Sequence, residues 1–438
     1  MDERRLVRER FPDVREIRSI DPRKGSARTY ALMREGVSAI YHGWLCMDDW
    51  QVRPDLLLRQ PGSSVFGDWH YVPRSMRRGH ELKKEYLFPL MADAMVLEKI
   101  QGKFPREPGI INMDDQRLSF DASAYVEEWA KIHQALRSIV TGDIPEPVYR
   151  KSCEDTSPWG KACFRLAAER HDIALLFNVD LKKLHGLRSL GIRTVEDAAS
   201  MDPIQQEGQV PGLTLRALQA VQRQAVSLRD QSVIIREPFR HETEGCEIHF
   251  DIESYPPTDT DYLYGFWMMD EQGGRYHAIV AEMPEQEHRL WKELLAWIAE
   301  LPATYTVYHY ANYEPNRLQT LAARYGDEQN PWLDRFLSRM VDLKEATREH
   351  AVFPLYFYSL KKICQFLGFT WGGKIQDGGK SVMVYQRWLE TRRRAVFTSL
   401  RRYNQGDVEA TTFLLAWLKC YATQMEVYAQ PYPWQKKT

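Results

Sequence analysis

The chain has 438 residues, of which 44% are apolar and 27% are charged, and its formal net charge is −1. This length exceeds what one hydrophobic core usually organises, so we expect a folded protein of two or three domains. The neutral charge balance excludes a globally basic nucleic-acid-binding protein, so any polyanion site has to be a local patch. Scattered cysteines, a charged N-terminal segment and the lack of a long apolar run predict a cytoplasmic protein with free thiols and no membrane partner.

Residues 1–150 mix short apolar strands with helices. The stretches SAIYHGWL, PDLLLRQ and GDWHYVPRSM predict strands because β-branched and aromatic residues dominate them. The stretch HELKKEYLFPLMADAMVLEKIQG predicts an amphipathic helix that is interrupted or kinked near Pro89 and ends at Gly102.

Residues 151–235 predict a small helical region with glycines at its turns. LHGLRSLGIRTVEDAA and VPGLTLRAL resemble helix–hairpin–helix units, with Gly186, Gly191 and Gly212 at the turns. Glycine lets backbone N–H groups approach a phosphate at a helix N-terminus. We expect these turns either to contact nucleic acid or only to pack the domains together.

Residues 245–438 predict a mixed α/β sheet flanked by helices. CEIHFDIES, YLYGFWMMD and RYHAIVAEM predict three consecutive strands. A helix, the strand TYTVYHY, the helix YEPNRLQTLAARYG and the long helix FTSLRRYNQGDVEATTFLLAWLKCYA follow. The stretch GGKIQDGGKS lacks the glycine spacing of a phosphate-binding loop and predicts a mobile loop, in which Lys374 and Lys380 are candidates for contacting a nucleic-acid backbone.

Four carboxylates of this C-terminal region are predicted on elements that can bring them together at one site. Asp251 and Glu253 lie two positions apart on a strand and face the same side, which is costly unless a cation lies between them. Glu314 is predicted at a strand-to-helix turn, where open α/β sheets usually place their sites. Tyr403 and Asp407 lie four apart on one helix face. The alternatives are a solvated edge strand for the first pair and an ordinary core residue for Tyr403.

These residues resemble, as an ordered set, the RNase H-like DEDD 3′–5′ exonucleases in their tyrosine version. Within that superfamily they resemble the YprB-type domain of bacterial predicted RecB-family nucleases, over about residues 245–422. The resemblance implies two Mg²⁺ or Mn²⁺ ions held by Asp251, Glu253, Glu314 and Asp407, with Tyr403 orienting the attacking water. Position 402 is arginine, so the histidine version does not apply. Asp342 is a further candidate, although a helix cap is the preferred interpretation.

The N-terminal stretch resembles the RecB/Cas4-like PD-(D/E)XK nuclease domain. Asp55 matches the first metal-binding acid of that family, but the following strand carries no acid, so we expect a catalytically degenerate domain. Asp68 is an alternative ligand if the strand register differs. The expected role for the basic cluster is to contact nucleic acid or a partner, with a solvated surface as the alternative; the cluster consists of Arg74, Arg77, Arg78, Lys83 and Lys84.

Cas4-like proteins hold an iron–sulfur cluster on four thiolates. Only Cys153 and Cys163 remain here, so we expect no such cluster. Together these features predict a metal-dependent nuclease that acts on DNA or RNA, single-stranded or with a free 3′ end. The alternative is a decayed nucleic-acid-binding or assembly subunit. RecB/Cas4-like domains occur together with helicases and in CRISPR-type defence complexes, so the resemblance also suggests a helicase or such a complex as partner.

Overall fold

A computed structural model describes residues 3–77, 82–112, 115–151, 157–270, 273–373, 375 and 378–435. The chain forms two compact units, Met1–Glu146 and Pro147–Thr438. The predictions for Arg78, Cys153 and Lys374 lie outside the described residues. Within the described part of the chain, no helix is both long enough and apolar enough to cross a membrane.

The first unit is built on a six-stranded sheet with the order β1-β2-β5-β6-β7-β8 and a separate β3-β4 pair. Its strands are β1 Arg15–Glu16, β2 Ala39–Tyr41, β3 Leu45–Met47, β4 Trp50–Val52, β5 Leu56–Ser64, β6 Gly67–Met76, β7 Gly109–Ile111 and β8 Arg117–Ser119. Its helices are α1 Glu3–Arg10, α2 Pro22–Glu35, α3 Lys84–Gln101 and α4 Val126–Val140.

One predicted strand of this unit has the expected bounds, and the predicted helix ends where expected although it begins only at Lys84. GDWHYVPRSM is β6 over its whole length. Helix α3 ends at Gly102, whose φ of 67° is a left-handed conformation that glycine adopts without steric cost. Pro89 lies inside α3, so the helix is continuous there and the predicted interruption is wrong.

The second unit begins with helices. They are α5 Gly160–Glu169, α6 Leu181–Ser189, α7 Val195–Ser200, α8 Pro203–Gln206 and α9 Leu215–Arg229. Gly191 and Gly212 have φ values of 80° and 88° and lie at turns as predicted. Gly186 lies inside α6 instead, where a Cβ would come within 3.0 Å of the Leu213 and Val210 side chains. Gly186 therefore allows the loop before α9 to pack closely on α6 and does not form a turn.

A mixed five-stranded sheet with the order β12-β11-β10-β13-β14 follows. Its strands are β10 Cys246–Tyr255, β11 Thr260–Asp270, β12 Gly273–Val280, β13 Tyr305–His309 and β14 Met340–Asp342. The first three strands pair antiparallel, and β13 and β14 add in parallel next to β10. A small sheet joins β9 Val233–Ile235 to β15 Ala351–Val352 and β16 Val427–Tyr428.

Alternation along β10 determines what each face of the sheet carries. Ile248, Phe250 and Ile252 point into an apolar core that also contains Leu290 and Leu318 from the covering helices. The residues between them therefore face the other side of the sheet. The helices of this region are α10 Glu287–Ala299, α11 Tyr313–Tyr325, α12 Pro331–Ser338, α13 Leu343–His350, α14 Leu360–Leu367, α15 Gly378–Thr391 and α16 Arg394–Tyr421.

The opposite face of the sheet is covered by α16, the predicted long helix. It packs on β10 and β11, and the Thr411 hydroxyl lies 3.0 Å from His249 Nδ1. Helix α15 begins at Gly378, so the predicted mobile loop is wrong for residues 378–381. The glycines of that stretch suggested a loop, but Ser381 is buried and bonded inside the fold, which fixes the first turn of α15.

Candidate active site

Asp251 and Glu253 lie side by side on the face of β10 that meets α16. Glu253 is buried, whereas Asp251 is partly exposed, so the cluster is open to solvent at Asp251. Strand β10 pairs on both sides, with β11 and with β13, and is therefore a central strand. The alternative of a solvated edge strand is wrong.

Helix α16 brings the third carboxylate to this pair. One carboxylate oxygen each from Asp251, Glu253 and Asp407 lie within 4.8 Å of one another; we call these three residues the acidic cluster. Tyr403 lies one helical turn before Asp407 and is also buried. The strand and the helix thus bring together residues that are more than 150 positions apart in the sequence.

Glu314 occupies the first turn of α11, directly after the loop that leaves β13. It is buried, with 4% of its surface exposed, and its charge acts on Asp251. It is not one of the three members of the acidic cluster. Its Oε2 atom is 3.4 Å from His309 Nδ1, but that nitrogen also lies 2.6 Å from the Ala311 carbonyl oxygen. Since one N–H serves the shorter bond, Glu314 Oε2 is buried without a hydrogen bond.

Burial raises the pKa of all three carboxyl groups of the acidic cluster and of Glu314, and repulsion between carboxylates adds to this for Asp251 and Glu253. The pKa of Asp251 is well above its ordinary value because of burial first, and then because of the charges of Glu253, Asp407 and Glu314. Burial, followed by the charge of Asp407, raises the pKa of Glu253 to about 8. Burial likewise raises the pKa of Glu314 and of Asp407. Such a set binds either protons or a cation at neutral pH.

Asn404 connects the acidic cluster to the sheet. Its Nδ2 donates to Asp251 Oδ2 at 2.7 Å, and its Oδ1 accepts from the Tyr276 hydroxyl at 2.8 Å. Gly265 makes this possible, because a Cβ there would lie 1.6 Å from Asn404 Oδ1. Our sequence reasoning missed Asn404, although it stands next to Tyr403 in the quoted motif YNQGD.

Other neighbours bind the carboxylates and the tyrosine from segments between the motifs. Trp371 Nε1 donates to Asp407 Oδ1 at 2.8 Å, and Ser381 Oγ donates to Glu253 Oε2 at 3.2 Å. Lys361 Nζ donates to the Tyr403 hydroxyl at 2.7 Å. Lys361 and Trp371 belong to the stretch FYSLKKICQFLGFTW, which resembles the segment that the YprB-type domains carry before their third motif. Lys361 and Trp371 are ten residues apart, and no periodicity in the sequence indicated that both reach the acidic cluster.

The donor set fits a hard divalent cation. Three carboxylates converge, the further carboxylate Glu314 has an oxygen without a hydrogen bond, and no cysteine takes part. Oxygen-only ligands are those that Mg²⁺ and Mn²⁺ prefer. Asp342 does not join the set: its Oδ1 accepts from Lys344 N and Ala311 N at 2.8 Å each, which confirms the preferred interpretation as a helix cap.

The candidates of the N-terminal unit do not form a comparable group. Asp55 Oδ2 accepts from Met76 N at 2.9 Å and pairs with Arg77 at 3.2 Å, so its charge is already compensated. The exposed Asp68 lies at the other end of β6, eight residues before Met76, which is roughly 25 Å along a strand. The expectation that Asp68 replaces a missing ligand is therefore wrong.

The residues of the predicted basic cluster differ in exposure, since some are buried and others lie at the surface. Arg74 is 5% exposed and donates to the Glu107 carbonyl oxygen, so it cannot grip a phosphate backbone from this position. It points inward because its strand is central in the sheet, which the sequence alone did not reveal. Lys83 and Lys84 are exposed at the start of α3. Lys380 is exposed in the first turn of α15.

The comparisons with known proteins concern the second unit. Residues 248–419 match the family model RNase_H_2, which describes the RNase_H superfamily. No curated protein and no solved structure gave a significant match to the chain. The match does not reach the earlier residues, so the RecB/Cas4-like and helix–hairpin–helix resemblances and the predicted domain boundaries remain predictions. Residues 248–419 form an RNase H-like domain, a type of domain that is typically a nuclease using divalent metals.

Proposed function

We propose that the chain is a metal-dependent nuclease that hydrolyses phosphodiester bonds at the acidic cluster, most simply as a 3′–5′ exonuclease. The observation that carries this proposal is the convergence of Asp251, Glu253 and Asp407 within 4.8 Å in an RNase H-like domain. Three carboxylates this close together repel one another unless cations bind them. The charge of Lys361 acts on all three carboxylates, but the pKa of each stays raised, so the cluster suits further cations from solution.

Asp251, Glu253 and Asp407 would hold the metal ions, and Glu314 would contribute its free oxygen. Divalent ions in such a site supply a Lewis acid for the scissile phosphate and lower the pKa of water. The partly exposed Asp251 lies where a phosphodiester reaches the cluster from solvent. Asn404 holds the Asp251 carboxylate in one rotamer, because it is itself held by Tyr276.

Tyr403 would orient the nucleophilic water. Its pKa is raised, by burial first and then by the charges of Asp407, Glu253 and Asp251, so its hydroxyl keeps its proton at neutral pH. A protonated phenol can donate to a water oxygen, and Lys361 Nζ donates to the same hydroxyl oxygen from the other side. The lysine thereby fixes the hydroxyl position and adds one positive charge next to the developing negative charge of the phosphate.

The test is cleavage of single strands labelled at the 5′ or the 3′ end, prepared as DNA and as RNA, with Mg²⁺ or Mn²⁺ or with EDTA. We expect wild-type cleavage with metal only, and loss of at least about a hundredfold in Asp251→Asn and Asp407→Asn. Asp334→Asn, an exposed carboxylate on α12, is the matched control and should cleave like the wild type.

The label position reports polarity, because a 3′–5′ exonuclease shortens a 5′-labelled strand in steps. Full activity of both cluster variants would refute the assignment of the site. If the wild type binds strands in EDTA but no metal promotes cleavage, the chain is a nucleic-acid-binding subunit instead.

A further inference from the structure

A second polar cavity lies in the unit 147–438, away from the carboxylates. It has a volume of about 300 Å³ and forms where α9 meets α13 and β15. Four arginines line it: Arg216 and Arg223 from α9, Arg236 after β9, and Arg348 from α13. We call it the arginine pocket. Its volume is at the lower end of cavities that bind small ligands or one group of a larger ligand.

The positive charges of the arginine pocket are only partly compensated. None of the four guanidinium groups forms an ion pair with a carboxylate in the part of the chain that the structure describes. Glu345 and Glu349 also line the cavity, which leaves two positive charges in excess among its lining residues. Burial and the neighbouring charge of Arg236 lower the pKa of Arg223, as expected for cations held together without an anion.

Arg223 also carries a donor without an acceptor. Its Nε atom is buried and has no hydrogen-bond partner. Leaving a buried charged donor unsatisfied is unfavourable, so this position suits an anion that accepts from it. Arg236 is held in place because its Nη1 donates to the Arg348 carbonyl oxygen at 3.2 Å.

An aromatic wall completes the cavity. Phe177 stacks on Tyr358 with ring centroids 4.5 Å apart, and the guanidinium of Arg348 lies 5.0 Å from the Phe177 centroid. The Tyr358 hydroxyl is fixed by Gln224 and by the backbone of Phe353. Tyr358 is buried and already stacks on Phe177, so this wall is rigid and fixes the position of Arg348, and the arginines are the groups that meet a ligand.

The aromatic wall lies close in sequence to a residue next to the acidic cluster. Tyr358 is three residues before Lys361, so their Cα atoms are at most about 11 Å apart. Lys361 contacts Tyr403 in the acidic cluster's surroundings. The two sites are thus joined by three residues of the chain and one hydrogen bond, which is why we consider one strand as the ligand of both.

We infer that the arginine pocket binds phosphate groups of a nucleic-acid strand, the same strand on which the acidic cluster acts. The identity of that strand rests on the proposed function, but the binding itself requires no cleavage. Phosphates, which accept the two N–H donors of each guanidinium side by side, match this cavity better than carboxylates do, because several arginines converge on it.

The experiment measures the fluorescence anisotropy of a labelled single strand, as DNA and as RNA, with EDTA present so that no cleavage occurs. Arg223→Gln and Arg216→Gln should each bind roughly tenfold more weakly than the wild type. The slope of log K against log salt should fall by about 0.7 for each phosphate group that a variant no longer neutralises. Glu345→Gln removes a negative charge from the same cavity and should bind more tightly.

Arg275→Gln is the matched control. Arg275 is exposed on β12, at the edge of the five-stranded sheet opposite β14, and should bind like the wild type with an unchanged salt slope. Arg216 is exposed, so its variant keeps the test valid if Arg223→Gln fails to fold by circular dichroism. Wild-type affinity and salt slope in Arg216→Gln and Arg348→Gln would overturn the inference.

Two further arms separate the possible outcomes. Asp251→Asn removes one carboxylate charge from the acidic cluster and should bind strands in EDTA at least as tightly as the wild type, so binding through the pocket stands even if cleavage is never observed. Calorimetry with a nucleoside 5′-monophosphate and with inorganic phosphate tests a free ligand. If the pocket variants lose these small ligands while they bind strands normally, nucleic acid is overturned as the occupant.

Discussion

Replacing Glu253 by glutamine should make the metal-free protein less sensitive to alkaline pH. The pKa of Glu253 is raised from 4.5 to about 8 in the folded protein, because the group is buried next to Asp407. The folded state therefore binds a proton more tightly than the unfolded state does. Stability that is present below about pH 4.5 is lost as the pH rises towards about 8, and the loss is complete above that value.

The size of the effect follows from the shift. Each pKa unit corresponds to about 1.4 kcal/mol, so the full shift corresponds to roughly 5 kcal/mol. Between about pH 6 and about pH 9 the wild type should lose roughly 2 to 3 kcal/mol through Glu253. Glutamine cannot ionise, and its carbonyl oxygen can still accept from Tyr262 and Ser381, so this loss should disappear in Glu253→Gln.

The assay is denaturant unfolding of both proteins in EDTA at the two pH values. Comparing the pH difference of the variant with that of the wild type removes the contribution of all other groups. Glu390→Gln, an exposed carboxylate on α15, should keep the wild-type pH dependence. Adding Mn²⁺ at the higher pH should make the wild type more stable than Glu253→Gln, because the cation binds only the intact cluster. Equal pH dependence in Glu253→Gln and the wild type would refute the electrostatic argument.

Three other outcomes are expected. Gly265→Ala should lose roughly 1 to 3 kcal/mol of stability and most of its cleavage activity, because the new methyl group displaces Asn404. Denaturant unfolding and the cleavage assay measure these losses. Gly372→Ala adds a methyl group in open space and should keep both stability and activity. Tyr403→Phe should lower kcat roughly tenfold to a hundredfold with little change in Mn²⁺ affinity by calorimetry; equal losses in both would contradict its role towards water. The affinity for Mn²⁺ should rise with pH, because the carboxyl groups have raised pKa values and must lose their protons when the ion binds. Calorimetry in buffers of different ionisation enthalpy measures the protons released.

The sequence predicted the strands of the C-terminal sheet and the carboxylates that meet on it. Strand β10 alternates apolar and polar residues, so both its conformation and the common face of Asp251 and Glu253 could be deduced from period two. Asp407 could be added because its helix has a clear apolar stripe. Glu314 was placed correctly at a strand-to-helix turn, although it stands apart from the other three.

What the sequence did not predict depends on contacts between distant segments. Lys361, Trp371 and Ser381 reach the site only because α14 and α15 pack against it, and no periodicity marks them. Arg74 was expected on the surface because its charge is typical there, but its strand is central and the guanidinium is buried with a backbone carbonyl partner. Gly186 was assigned to a turn, whereas it lies in α6, where the close approach of the loop residues Val210 and Leu213 requires a glycine.

The distance in sequence between Asn404 and Asp251, 153 positions, bears on when this chain can first act. On a ribosome the central strand emerges long before the helix that completes its set of carboxylates. Until that helix has been synthesised and has docked on the sheet, the early carboxylates lack their partner and cannot hold a cation firmly. Under the proposed function, the chain therefore stays inactive while it is nascent, until its last long helix has docked.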